Sequence, residues 1–252
     1  MLDPLTIALA AGAGMLGGAM NALAGGGTFA TMPALIVIGL PSPIANATSN
    51  VALQPGALAS AWAYRDGFQP IGGVGVRTLA VVTFCAALVG SLLLVFTPTS
   101  TFDMIIPWLL LLATLAIAFG RRAATALHRH AAPGRRTLIG AQLLLGVYGG
   151  YFGGGLGLML TAVWGLLAGE LPHRLMAPRT LMLAMSNAAA TVMFIGFGMV
   201  GWAACVPMLF GAVVGGWLGA QVGRRLPPGL IRGWTLFVTT VTTVVFFARA
   251  YA

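Results

Sequence analysis

The chain alternates between ten apolar segments and short stretches of Gly, Pro and Arg. The apolar segments are about 5–23, 28–40, 44–64, 75–97, 104–120, 137–152, 156–168, 175–197, 202–223 and 230–248. As helices, most of them are long enough to cross a hydrocarbon layer of about 30 Å at 1.5 Å per residue. The segments 28–40 and 156–168 give helices of only about 20 Å. The pattern therefore predicts ten helices, two of which are too short to span a membrane.

The composition indicates that most of the surface faces lipid rather than water. Of 252 residues, 59% are hydrophobic and only 7% are charged, with a mean hydropathy of +0.96. A soluble domain has about a quarter charged residues, so this chain is not a soluble enzyme, a nucleic-acid-binding module or a disordered segment. The net charge of +9 comes from Arg residues scattered between apolar segments. We therefore predict that the protein is surrounded by a lipid bilayer and binds no nucleic acid.

The two halves of the chain share an order of features that indicates an internal duplication. Gly25-Gly26-Gly27 precedes the first short segment, and Gly153-Gly154-Gly155 precedes the second. Each short segment ends close to a Leu-Pro pair, after which a longer helix rich in small and polar residues follows. We place repeat one at about 5–120 and repeat two at about 137–250, with a basic loop at about 121–136 between them.

The Arg residues predict how the repeats are oriented. The loop 121–136 carries five Arg residues and is predicted to be cytoplasmic. The turns 98–103 and 198–201 have no cation and are predicted to be external. These assignments agree only if each short segment forms a hairpin with the helix before it, which leaves three further crossings per repeat. The repeats are then inverted relative to each other, and both termini are periplasmic.

The glycine triplets are predicted to interrupt helices inside the membrane. Gly costs about 1 kcal/mol relative to Ala in a helix, and the freed backbone groups need partners away from lipid. The N-terminus of the following short helix, at Thr28 or Leu156, then offers unpaired N–H groups and a positive dipole end to an anion. The alternative is that the triplets only allow close packing, as we predict for a ridge of glycines spaced by four: Gly211, Gly215, Gly219 and Gly223.

Polar residues on the helices after the short segments complete a candidate site. Asn46, Ser49 and Asn50 share one helical face, and Arg179 is predicted to be the counter-charge of an anionic substrate. The alternatives are interhelical hydrogen bonds for the amides and an interfacial position for Arg179. The predicted substrate-binding residues are Asn21, Gly25, Gly26, Gly27, Thr28, Asn46, Ser49, Asn50, Gln54, Gly153, Gly154, Gly155, Arg179, Ser186 and Asn187.

The chain lacks a constellation for catalysis. All four acids lie near segment ends: Asp3, Asp66, Asp103 and Glu170. Cys85 and Cys205 lie within apolar segments and form no metal motif. No carboxylate pair, Cys/His cluster or base-supported nucleophile can be assembled from these residues. We therefore predict a protein that is not an enzyme and uses no cofactor or metal.

Two stretches of the sequence match a known family pattern. The first comprises Gly25-Gly26-Gly27-Thr28, Met32-Pro33-Ala34-Leu35, Gly39-Leu40-Pro41 and Ala45-Asn46-Ala47-Thr48-Ser49. The second comprises Gly149-Gly150-Tyr151-Phe152-Gly153-Gly154-Gly155 and Glu170-Leu171-Pro172. Together they resemble the two repeats of the TauE/SafE sulfite-exporter family of bacterial membrane permeases. The chain departs from that pattern at Thr161 and at Pro178-Arg179-Thr180. The resemblance implies movement of sulfur-containing anions such as sulfite or sulfoacetate, usually outward.

The sequence thus predicts an all-α polytopic protein of the bacterial inner membrane, with two inverted-topology repeats. Each repeat is a broken-helix hairpin plus three transmembrane helices. We expect export of a small anion, sulfite or an organosulfonate, by alternating access at a midplane site. The alternatives are a permease for another small solute and a non-transporting membrane scaffold. Because no acid lies within the apolar segments, we expect the anion gradient and the membrane potential to drive transport; Na⁺ coupling through Thr48 or Ser49 is the alternative.

Overall fold

The computed structural model describes residues 3–127, 134–170, 172–223 and 226–251. Over these residues the protein is all-α, with one additional 3-10 turn at Arg65–Gly67. The helices are α1 (Pro4–Ala24), α2 (Thr28–Val37), α3 (Ser42–Ala63), α4 (Val76–Val95), α5 (Thr99–Leu127), α6 (Arg135–Tyr151), α7 (Leu156–Ala168), α8 (Pro172–Gly196), α9 (Trp202–Gly223) and α10 (Pro228–Tyr251). All ten predicted segments form helices, and the two predicted to be short have 10 and 13 residues.

Several helix ends differ from the prediction, and α5 begins at Thr99, within the predicted external turn 98–103. Helix α2 stops at Val37 because Gly39, with a φ of 102°, turns the chain so that the Leu40 N–H donates to the Leu35 carbonyl at 3.0 Å. Helix α5 continues to Leu127, into the region predicted to be the basic loop 121–136. This continuation has a simple cause, since residues 121–127 are Arg, Ala, Thr and Leu, without Gly or Pro. The central connection is therefore shorter than predicted.

Helix length and hydropathy separate the outer helices from the central ones. Among the described residues, five helices are long and apolar enough to cross a membrane: α1, α4, residues 99–120 of α5, 202–219 of α9 and 229–251 of α10. Helices α3 and α8 have 22 and 25 residues, but both carry polar residues along their length and contact each other. Large apolar side chains such as Phe210, Trp217 and Phe237 are exposed on these five helices. The protein is thus a multi-pass membrane protein.

The contacts between helices are repeated in the two halves. Helix α1 packs against α9, and its counterpart α6 packs against α4, the counterpart of α9. Likewise α7 packs against α5, and α2 packs against α10. Two counterpart pairs contact each other directly, namely α3 with α8 and α5 with α10. This exchange pattern places the α3–α8 pair between the two halves of the chain.

Glycine allows the α1–α9 and α4–α6 pairs to touch through their backbones. A Cβ on Gly215 would overlap the carbonyl oxygen of Met15, and a Cβ on Gly211 would overlap that of Ala11. In the other half, Gly90 is equally close to the carbonyl of Val147. The predicted packing role of the α9 glycine ridge is therefore confirmed at Gly211, Gly215 and Gly219. Such contacts are typical of helices that associate in a membrane.

Candidate functional site

The two glycine triplets interrupt helices at points that lie side by side. Gly25 follows α1 with a φ of 78°, and Gly153 and Gly155 have φ values of 73° and 75° between α6 and α7. Only glycine adopts these left-handed conformations without steric cost. The backbone of Gly25 faces that of Gly157 in the first turn of α7, because a Cβ on Gly25 would be 3.1 Å from the Gly157 Cα. The breaks of the two halves are therefore neighbours.

Side-chain hydroxyls donate to backbone carbonyls at both breaks, and the Gly27 carbonyl also accepts from the Ala30 and Thr31 N–H groups. The Tyr148 hydroxyl donates to the Gly154 carbonyl at 2.6 Å, and the Thr31 hydroxyl donates to the Gly27 carbonyl at 3.2 Å. Thr31 also shares a short hydrogen bond with Ser49, which joins α2 to α3. Thr28, the first residue of α2, is buried. These contacts explain how an interrupted helix is tolerated away from water.

Helices α3 and α8 cross in an antiparallel direction through polar side chains. The Asn50 Nδ2 donates to the Asn187 Oδ1 at 3.3 Å, and the Gln54 Nε2 donates to the Ala184 carbonyl at 3.3 Å. The Thr191 hydroxyl donates to the Asn50 Oδ1 at 3.3 Å. Residue numbers thus rise along α3 as they fall along α8. All three α8 residues come from the repeat opposite to that of α3, so the polar contact joins the two halves.

Several buried polar atoms in this region have no hydrogen-bond partner. Among the described residues they are Ser42 Oγ, Asn46 Oδ1, Gln54 Oε1, Arg179 Nε and Ser186 Oγ. The amide N–H groups of Asn46 and Gln54 donate to the carbonyls of Tyr151 and Ala184, so each amide oxygen points away from that partner. Leaving a buried polar group unpaired costs about 1–3 kcal/mol. Water or a polar solute would therefore be favoured at these positions.

A cavity of about 310 Å³ lies between the C-terminal turns of α3 and the first half of α8. Its polar lining consists of Asn21, Ser60, Tyr64, Arg179 and Thr180. Its apolar lining includes Leu23, Met176, Leu183 and Ile231. The cavity is therefore bounded by residues of α1, α3, α8 and α10, together with Gly219 of α9. Both halves of the chain contribute to it.

Arg179 supplies a positive charge to this cavity. Arg179 is only 7% exposed and is therefore packed within the protein. The ion pairs among the described residues are Arg65 with Asp66 and Arg174 with Glu170, and neither involves Arg179. The polar side chains that line the cavity all carry hydrogen-bond donors, and none is negatively charged. This lining suits an anion.

Comparison with known proteins identifies the family of this chain. The family model of the sulfite exporter TauE/SafE matches residues 10–246. The chain belongs to the TauE/SafE family. It is similar to a probable membrane transporter protein of Haemophilus influenzae, with 27% identity over 231 residues that cover 91% of this chain and 90% of the relative.

Two further relatives of this TauE/SafE protein are also described as transporters. The probable membrane transporter protein YfcA of Escherichia coli strain K12 is 27% identical over 226 residues, covering 90% of this chain and 82% of YfcA. The probable membrane transporter protein ORF9 of a Sinorhizobium species is 29% identical over 219 residues, covering 84% and 80% of the two chains. No solved structure matches the chain. The protein is thus a member of a membrane transporter family.

The structure divides the predicted site of this TauE/SafE protein into three groups. Asn21 and Arg179 line the cavity. A second group is buried around α3 and α8: Asn46, Ser49, Asn50, Gln54, Ser186 and Asn187. The third group forms the two helix breaks and does not line the described cavity: Gly25, Gly26, Gly27, Thr28, Gly153, Gly154 and Gly155. Substrate binding by these residues stays a prediction.

The cavity is also lined by three residues that were not among the predicted site residues, namely Ser60, Tyr64 and Thr180. Tyr64 comes 18 residues after Asn46. At 3.6 residues per turn this is five full turns, which places Tyr64 on the same helical face as Asn46. Extending the polar stripe along α3 to the end of the helix would therefore have identified it. Thr180 adjoins Arg179 and is buried, with its hydroxyl donating to the Ala177 carbonyl at 2.8 Å.

Proposed function

We propose that this TauE/SafE protein exports a small anion, sulfite or an organosulfonate, by alternating access around the cavity at Arg179. The observation that carries the proposal is a buried guanidinium with an unpaired Nε at a cavity whose lining has donors and no carboxylate. A buried charge without a partner is costly in an apolar interior. An anion entering the cavity would remove that cost by pairing with Arg179.

The chemistry of the lining fits an oxyanion with a small organic group. A guanidinium offers a planar fork of N–H donors that matches the oxygens of a sulfite or sulfonate, as it does for carboxylate and phosphate. Asn21, Ser60 and Tyr64 add neutral donors, while Leu183 and Met176 supply an apolar wall for carbon atoms. The volume of about 310 Å³ is near the lower end of the range for small-molecule sites. A small substrate is therefore favoured.

The arrangement of the repeats supports alternating access. Besides the antiparallel α3–α8 pair, α5 and α10 run antiparallel, because Thr114 contacts Thr243 at 3.1 Å and Trp108 donates to Tyr251 at 2.9 Å. Counterpart helices that run in opposite directions are expected for inverted repeats, whose rocking exposes a central site to either side. In the inner-membrane orientation derived from the Arg residues, the central basic connection is cytoplasmic. The cavity end of α3, next to Arg65, then faces the cytoplasm and admits substrate for export.

The positions of the acids support a transporter that does no chemistry and carries no proton on a core carboxylate. Asp3 and Asp66 are exposed, and Asp103 and Glu170 are only partly buried. Without a carboxylate in the interior, we propose that the anion gradient and the membrane potential drive export, with no cofactor. Two other functions predict different results in the same experiment. A permease for another solute would ignore sulfur anions, and a scaffold would show no flux.

The test is efflux from proteoliposomes loaded with labelled sulfite or sulfoacetate, with sulfate and acetate as competitors. Arg179→Gln removes the charged donor, and charge-assisted hydrogen bonds contribute about 1.5–3 kcal/mol. We therefore expect the apparent affinity to fall by about 10- to 100-fold. The matched control is Arg174→Gln on the same helix, whose side chain is 58% exposed and pairs with Glu170 at 4.0 Å.

We expect Arg174→Gln to change the affinity for the anion by less than about twofold, because exposed ion pairs contribute little. Equal effects of the two substitutions would place the anion site away from Arg179. An inserted wild-type protein without flux of any of the four anions would refute anion export. In that case flux of a neutral solute would indicate a different permease, and its absence would favour a scaffold.

A further inference from the structure

We infer that the face of α3 carrying Ser42, Asn46, Asn50 and Gln54 is the translocation path beyond the cavity, and that contacts of Asn50 with Asn187 and Thr191 form its gate. The inference rests on the proposed function, since it assumes that a solute crosses the protein. It assigns the residues along which the solute moves after it leaves Arg179. These four residues form the α3 row.

The α3 row is a continuous polar line inside the protein. Its members are spaced by four residues, which places them on one ridge of the helix over about 18 Å. All four are buried, and Ser42 and Asn46 are each only 1% exposed. The same face leads to Ser60 and Tyr64 at the cavity. From Ser42 to Tyr64 the helix rises about 33 Å, which matches the hydrocarbon thickness of a membrane of about 30 Å.

Hydrogen bonding distinguishes the α3 row from the other polar residues of the same helix. Thr48 and Ser49, which are not members of the row, both have partners, namely the Gly201 N–H at 2.9 Å and the Thr31 hydroxyl. In the row, Ser42 Oγ, Asn46 Oδ1 and Gln54 Oε1 have none. Residues that only hold helices together would be paired, as nearly all buried polar groups are. The spare atoms of the row are explained if water or a solute reaches them in another conformation.

Asn50 is the exception in the α3 row, because both atoms of its amide are paired across to α8. Its Nδ2 donates to Asn187 and its Oδ1 accepts from Thr191, both at 3.3 Å. These distances are long for hydrogen bonds, so a small separation of α3 and α8 would break them. Asn50 lies between Asn46 and Gln54 and therefore divides the row. Gln54 is left on the cavity side, while Asn46 and Ser42 are closed off.

The gate is tested by cysteine accessibility without any transport substrate. The background carries Cys85→Ala and Cys205→Ala, which remove both native thiols. The probe is methanethiosulfonate ethylsulfonate, a membrane-impermeant anion, added to one side of sealed vesicles. The side from which Tyr64→Cys reacts defines the cavity side, because Tyr64 lines the cavity and is 41% exposed. From that side we expect Gln54→Cys to react at least 10-fold faster than Asn46→Cys.

Opening the gate supplies the decisive comparison. Adding Asn50→Ala and Asn187→Ala should raise the reaction rate of Asn46→Cys from the cavity side by at least 10-fold. The matched control is Thr48→Cys, which is on the same helix and fully buried but lies off the row. Its rate should stay unchanged. If the double variant does not purify as a monodisperse protein, Asn187→Ser removes only the acceptor of Asn50 and should give the same direction of change.

Two results would overturn the inference. One is an unchanged rate for Asn46→Cys in both gate variants, and the other is an equal rise for Thr48→Cys, which would show general loosening of the bundle. These results are independent of sulfite flux. A reactive row in a protein that exports no anion would refute only the proposed function, whereas export with an unreactive row would refute only the gate.

Discussion

The backbone contact between α1 and α9 allows a sharp prediction for two adjacent glycines. A Cβ on Gly215 would overlap the carbonyl oxygen of Met15, whereas a Cβ on Gly216 would have the Gly18 carbonyl oxygen as its nearest neighbour at 3.7 Å, an ordinary contact. Gly215→Ala and Gly216→Ala therefore add the same methyl group to the same helix in different surroundings. We expect the first to destabilise the protein and the second to be neutral or stabilising.

The magnitude follows from two opposing effects. Ala is more favourable than Gly in a helix by about 1 kcal/mol. Overpacking costs about 1–3 kcal/mol, and the upper part of that range applies to Gly215 because the obstacle is a backbone atom that no rotamer change moves. The net effect of Gly215→Ala is thus a loss of about 1–2 kcal/mol, and the two variants differ by about 2–3 kcal/mol. At roughly 2–4 °C per kcal/mol for a chain of this size, the unfolding midpoints should differ by about 4–12 °C.

The measurement is a thermal unfolding series in detergent, followed by the loss of the monodisperse peak in size-exclusion chromatography. Both variants are compared with the wild type at the same detergent concentration. Gly90→Ala, which would overlap the Val147 carbonyl in the α4–α6 pair, should behave like Gly215→Ala. A midpoint for Gly215→Ala equal to that of Gly216→Ala would refute the close α1–α9 contact and, with it, the structural explanation of the glycine ridge.

Two further predictions concern orientation and energy coupling. A topology reporter fused after Ala252 should report the periplasm, because the Arg residues place the central connection in the cytoplasm and each repeat crosses the membrane an odd number of times; a cytoplasmic signal would refute the inverted count. Efflux from liposomes with an imposed potential and no pH gradient should exceed background, since the potential contributes about 2.3 kcal/mol per charge per 100 mV. Efflux that needs a pH gradient would instead show proton coupling.

Much of the fold could be predicted from the sequence because its signals are local. Hydropathy located all ten helices, since the cost of placing polar backbone in lipid makes apolar segments helical. Helix ends were predicted less well, and α2 and α5 show why. Gly39 closes α2 early, and the Ala-rich and Arg-rich residues after Gly120 extend α5 beyond the apolar segment. Neither error changed the order of the elements.

The candidate site could be predicted only in part because it depends on pairing between distant helices. The stripe of Asn46, Ser49 and Asn50 was visible in the sequence as one helical face. In the structure each of these side chains forms its hydrogen bond with a different neighbouring helix. Asn46 contacts α6, Ser49 contacts α2 and Asn50 contacts α8. The cavity needs Tyr64 and Arg179 to meet, and they are brought together only by the antiparallel crossing of α3 and α8. Spacing within one helix contains no information about such a crossing.

The two glycine patterns show how one residue type serves opposite purposes in this protein. Glycines spaced by four, such as Gly211 and Gly215, keep helical geometry and let another backbone approach. The triplet 153–155 instead contains two left-handed residues, Gly153 and Gly155, that separate one helix from the next. Spacing by four indicates packing here, because a single ridge of a helix recurs only every third or fourth residue, whereas the triplet marks an interruption. The interruptions then bring Gly25 against Gly157 between the halves, next to the helices whose polar atoms lack partners.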